Sequence, residues 1–120
     1  MPDVKDLMST PVFTLSPQKT AFDAALLMEK KDIETIVVTW GDVVVGIVTE
    51  KDLVRKVIAQ NKPYTVKLSD VMSEPVISIE PGASLRKAKM LMGKHKVKRL
   101  PVVEDGILIG IVTASDLNKN

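Results

Sequence analysis

The sequence predicts an α/β (α+β) chain made of two copies of one β-α-β-β-α unit, paired about a pseudo-two-fold axis. Three observations predict it. The chain matches itself without a gap at an offset of 64 positions: residues 4–56 laid on 68–120 agree at 17 of 53 places, where chance gives about three. Short β-branched runs alternate with apolar residues at helical spacing. The same prolines and glycines punctuate both copies: Pro11 with Pro75, Pro17 with Pro81, Gly46 with Gly110. Residues 1–60 form repeat 1, 61–67 a linker containing Pro63, and 68–120 repeat 2.

Each copy opens with a short helical turn, Val4–Met8 or Leu68–Met72, followed by a proline-bounded strand, Val12–Leu15 or Val76–Ile79. Thr20 and Ser84 then stand where helix N-caps belong. The helices they start run over Ala21–Lys31 and Leu85–Lys96, with apolar stripes Ala21, Ala24, Ala25, Met28 and Leu85, Ala88, Leu91, Met92. Next comes a hairpin: Ile36–Thr39 and Val43–Val48 around Trp40-Gly41-Asp42, and Leu100–Val103 and Ile107–Val112 around Glu104-Asp105-Gly106. A last helix covers Lys51–Gln60 in the first copy and is cut short at Asn120 in the second. Units of about fifty residues bury too little surface to stand comfortably alone. The copies are therefore expected to pair their sheets, with a ligand cleft at the seam.

Composition excludes several functions. Seventeen Lys plus Arg against fifteen Asp plus Glu leave a charge of only +2, no footprint for nucleic acid. With no cysteine there is neither a disulfide framework nor a thiolate metal site, which fits a cytoplasmic protein. His95 is the single histidine, so no multi-histidine cage forms in one chain. No apolar run is long enough to span a membrane, and no secretory signal opens the chain. Lys94-His95-Lys96 reads as a solvated helix end complementing the dipole. Met28, Met90 and Met92 read as core filler, and Trp40 as a turn-flanking, partly exposed residue.

Chemistry points to Gly-Ile-Val-Thr-x-x-Asp-Leu, present at 46–53 and 110–117, each time at a strand-to-helix junction. One reading is structural: Thr49 and Thr113 cap helices, with Asp52 and Asp116 completing capping boxes. The other is functional. A carboxylate held at a helix start can accept hydrogen bonds from both hydroxyls of a ribose, while the threonine and backbone N–H groups meet a phosphate. The two readings are compatible.

Asp6-Leu7-Met8-Ser9-Thr10-Pro11-Val12 with Asp70-Val71-Met72-Ser73-Glu74-Pro75-Val76, then Lys98-Arg99-Leu100-Pro101-Val102-Val103, then both Gly-Ile-Val-Thr-x-x-Asp-Leu stretches, make the chain resemble a tandem cystathionine-β-synthase (CBS) domain pair, or Bateman module. The resemblance covers essentially the whole chain. It implies an adenosine-containing ligand between the repeats: AMP first, with ADP, ATP or S-adenosylmethionine as alternatives. Carried over, one site would use Thr49 and Asp52, with Pro11, Val12 and Ile36 near the base. The other would use Thr113 and Asp116, with Pro75, Val76 and Leu100. Thr65 matches a position that touches the second ligand. Basic residues at Lys98 and Arg99 would reach the phosphate of the Asp52 site, whereas Glu34 would face the Asp116 site and disfavour a phosphate there. Val37 stands where the second copy has Pro101.

The implied function is a stand-alone regulatory module, with no required cofactor, signalling its occupancy to a partner in trans as a homodimer. The alternative is a ligand-free interaction scaffold whose Thr-x-x-Asp motifs only cap helices. An enzyme is disfavoured, since no activated nucleophile, metal cluster or acid–base pair appears.

Overall fold

The computed structural model describes residues 2–118. They form two compact units that cut across the repeats. One is Phe13–Val76; the other joins the chain up to Val12 with the stretch from Ile77 onward.

In the 13–76 unit, β1 (Thr14–Leu15) runs parallel to β2 (Thr35–Trp40), which pairs antiparallel with β3 (Val43–Thr49). Between β1 and β2 lies α2 (Ala21–Lys31), capped by Thr20, whose hydroxyl accepts the Asp23 N–H at 3.2 Å. After β3 come α3 (Glu50–Leu53) and a continuing π-helical turn, Val54–Ile58, which together take the place of the predicted single helix. The core holds Ala24, Met28, Ile36, Val38, Val48 and Val57, completed by Leu68 and Val71 from the opening of the second repeat. A 3-10 turn, Leu68–Asp70, carries these two. The predicted linker is not slack: the carbonyls of Tyr64 and Val66 accept the N–H groups of Phe22 and Ala21 at the start of α2.

The other unit repeats this plan with α1 (Val4–Leu7), α4 (Leu85–His95), β4 (Arg99–Glu104), β5 (Ile107–Thr113) and α5 (Ala114–Asn118). Ser84 caps α4 by accepting the Lys87 N–H at 3.1 Å. Strands β4 and β5 are antiparallel, joined by Asp105-Gly106, both at positive φ as a type I′ turn requires. Ala88, Met92, Leu100, Val102, Val112 and Leu117 form the core, and Val4 joins them fully buried.

The exchange follows one rule in both units. Val4 and Leu68 are equivalent positions, each buried in the core of the opposite repeat. The N–H groups of Val4 and Lys5 donate to the carbonyls of Ala83 and Pro81. Those of Leu68 and Ser69 donate to Lys19 and Pro17, at the same offset. Ser73 pairs with Ile47 and Ser9 with Ile111. The opening turn predicted to precede each repeat's own strand is thus packed on the other repeat.

Three further expectations are corrected. The strand over Val76–Ile79 shrinks to a bridge from Ile79 to Val102, because Pro101 has no N–H to extend the ladder that Val37 supports in the first unit. Ala25, placed on the apolar stripe of α2, faces solvent, since the helix buries Ala21, Ala24 and Met28. Met90, read as core filler, is 57% exposed; it lies off the face that buries Ala88 and Met92. Trp40 is exposed beside its turn.

Candidate functional site

Both Thr-x-x-Asp motifs form where a strand leads straight into a helix. Strand β3 ends at Thr49 in extended conformation (φ −118°, ψ 165°), and its hydroxyl accepts the Asp52 N–H at 3.1 Å. Asp52 Oδ2 returns the favour to the Thr49 N–H at 2.9 Å. In the other unit the Thr113 hydroxyl accepts the Asp116 N–H at 3.1 Å, and Asp116 Oδ2 accepts the Thr113 N–H at 3.0 Å. The spacing explains this: N-cap and third helical residue face one another across the first turn. The structural reading of the motif is therefore correct in both copies.

Capping engages only one oxygen of the Asp52 carboxylate. Its Oδ1 lies 3.3 Å from Lys56 Nζ and 3.5 Å from Ser73 Oγ. Lys56 also donates to Ser73 Oγ and to the Val71 carbonyl, each at 3.1 Å. The Asp52 side chain keeps 15% of its exposure and that of Lys56 keeps 41%, so the cluster opens to solvent on the lysine side. Asp52 is thus held partly by the backbone of its own helix start and partly by the side chains of Lys56 and Ser73. Lys56 was legible as an i,i+4 partner of Asp52. Ser73 was not, because it comes from the segment delivered by the other repeat.

The remaining expected residues divide between the units. Ile36, Thr65, Pro75 and Val76 belong to the unit of Thr49 and Asp52; Pro11, Val12, Lys98, Arg99 and Leu100 belong to that of Thr113 and Asp116. Ile36 and Leu100 have no exposed surface, so each offers a ligand only its backbone. Pro11 and Pro75 are exposed, Val12 and Val76 half-buried, and Thr65 is exposed in the stretch that docks on α2. Arg99 is registered opposite Thr113, as Thr35 is opposite Thr49. Directly paired residues send their side chains to one face of a sheet, so Arg99 stands beside the Thr113 box of its own unit. The Lys98 carbonyl accepts the Ala114 N–H and the Glu34 carbonyl accepts that of Glu50, closing each helix start. Among the described residues no group of three His, Cys, Asp or Glu side chains comes together to hold a metal. No described helix is long and apolar enough to cross a membrane.

The sequence matches the CBS domain family twice, over residues 4–59 and 68–120. The chain belongs to the CBS-domain family. This CBS pair is 38% identical over 120 residues to the CBS domain-containing protein YhcV of Bacillus subtilis (strain 168), covering 100% of this chain and 86% of that one. It is 36% identical over 110 residues to an inosine-5′-monophosphate dehydrogenase of Nitrosopumilus maritimus (strain SCM1), covering 90% of this chain but 22% of the enzyme. The solved CBS domain pair of protein MJ0100, in complex with 5′-methylthioadenosine and S-adenosyl-L-methionine, superposes with a TM-score of 0.89 at 27% identity. That match covers 99% of this chain and 94% of the other.

Proposed function

We propose that this CBS pair is a regulatory, non-catalytic cytoplasmic module that binds an adenosine-containing ligand, AMP first among them, at its Thr-x-x-Asp sites. It signals occupancy to a separate partner protein and acts as a homodimer. The observation that carries the reading is the Asp52 cluster: a carboxylate with one oxygen anchored to backbone and the other held by an ammonium and a hydroxyl. Such an oxygen can exchange side-chain partners for ribose hydroxyls without breaking the capping box, and a cation stands ready beside it. The MJ0100 complex supports the ligand class. A regulatory outcome requires the ligand to favour one conformational or assembly state over another.

A second reading, that of a ligand-free scaffold, draws on the completeness of both capping boxes, which alone gives Thr49, Asp52, Thr113 and Asp116 a structural task. A thermal-shift panel of AMP, ADP, ATP and S-adenosylmethionine separates the two. At one hundred times its Kd a ligand stabilises the fold by about 2.7 kcal/mol, so a raised melting temperature with one of the four supports the sensor, and none with any supports the scaffold. Asp52→Asn and Asp116→Asn each keep an acceptor for the cap while losing the charge. Calorimetry should show affinity at the altered site falling by roughly tenfold or more; unchanged affinity in both variants overturns the assignment.

A further inference from the structure

Lys56 is not repeated in the sequence: the position 64 residues on is Asn120. It is also the residue that ties Asp52 to the segment delivered by the other repeat, through Ser73 Oγ and the Val71 carbonyl. A sugar that takes Asp52 Oδ1 must displace the Lys56 ammonium from it. With a neutral nucleoside that displacement deprives the lysine of its carboxylate partner Asp52, a cost to binding. With a nucleoside 5′-phosphate the same ammonium, 41% exposed on a flexible four-carbon stem, regains an anion. One side chain therefore penalises the uncharged ligand and rewards the charged one.

We infer that Lys56 sets the charge preference of the Asp52 site, selecting a nucleoside 5′-phosphate over the neutral nucleoside. This rests on the adenosine-ligand reading above and adds to it a specificity-determining residue. Lys56 belongs to the π-helical turn after α3. Its exchange of partners would remove its two hydrogen bonds to the 71–73 segment, which stays paired with Ile47 through the backbone, so that ligand charge and part of the grip on that segment are linked.

The test reads AMP against adenosine by calorimetry in an Asp116→Asn background, so that the Asp52 site dominates the isotherm. Lys56→Met keeps the aliphatic stem and removes the charge, while Lys56→Arg keeps the charge. The expected result is a ratio of adenosine Kd to AMP Kd that falls about tenfold in Lys56→Met, the scale of one charged hydrogen bond, and is kept in Lys56→Arg. In Lys56→Met adenosine should bind as well as before or better, because Asp52 Oδ1 is no longer contested. A ratio left unchanged by Lys56→Met, with both ligands weakened equally or neither affected, overturns the inference and leaves the ligand reading standing. Failure of the unsubstituted chain to bind either compound overturns the inference, and failure with ADP, ATP and S-adenosylmethionine as well overturns the ligand reading.

Discussion

At Gly46 and Gly110 the missing side chain makes room for another residue. A Cβ on Gly46 would overlap Met72 Sδ, and one on Gly110 would overlap Met8 Sδ. The duplicated Gly and the duplicated Met were both visible in the sequence. That they meet crosswise was not, since each pair joins residues from different repeats. Gly46→Ala should destabilise the chain by about 1–3 kcal/mol through overpacking, measured by urea denaturation. Met72→Ala in the same chain should recover part of that loss, because it empties the space the new methyl needs; a double variant as unstable as the sum of both would refute the pairing. Asp52 carries the same lesson. Its cap and its lysine were legible from local spacing, whereas Ser73 was brought by long-range packing.

The helices owe their beginnings to short-range chemistry, which is why their starts were read correctly. Thr20 and Asp23 form a full capping box in α2, with the Thr20 N–H donating to Asp23 Oδ2 at 2.9 Å. Thr20→Ala should cost about 1 kcal/mol in a denaturant titration. The backbone N–H of Thr20, then its hydroxyl, hold the Asp23 carboxyl below its ordinary value of 3.8. A depressed folded-state value means that the stabilisation is fully present above 3.8 and is lost as pH falls through the lower folded-state value. Asp23→Asn should therefore flatten the acid side of a melting-temperature profile, a change absent if the box contributes nothing. Helix ends were less legible. Asp32 and Lys96 close α2 and α4 at left-handed φ of 53° and 56°, where sequence rules look for glycine. Their matching place in the two repeats shows a shared backbone requirement, and no side chain announces it.

For the molecule as a whole, the exchange of opening segments predicts which part fails when the N-terminus is removed. Val4 is fully buried among Ile79, Leu100 and Leu117, and burying a valine contributes roughly 1.5–3 kcal/mol. Deleting residues 2–12 should lower amide protection chiefly in 77–118 rather than in the repeat from which the deletion was taken. Hydrogen exchange checks this directly: protection lost mainly within 13–60 would contradict the division into units. The fold would then be two self-contained repeats.

By itself the sequence determined the duplication, the hairpins, the helix caps and the family, because these follow from periodicity and from contacts between near neighbours in the chain. Turn residues, caps and alternating apolar positions act over a few residues, so a linear reading captures them. Only the tertiary structure decided that Val4 and Leu68 change places between cores, that Ala25 and Met90 face water, and that Ser73 arrives beside Asp52. Those outcomes depend on which distant segments best fill a core and satisfy a strand edge, a competition among packings that no local pattern encodes.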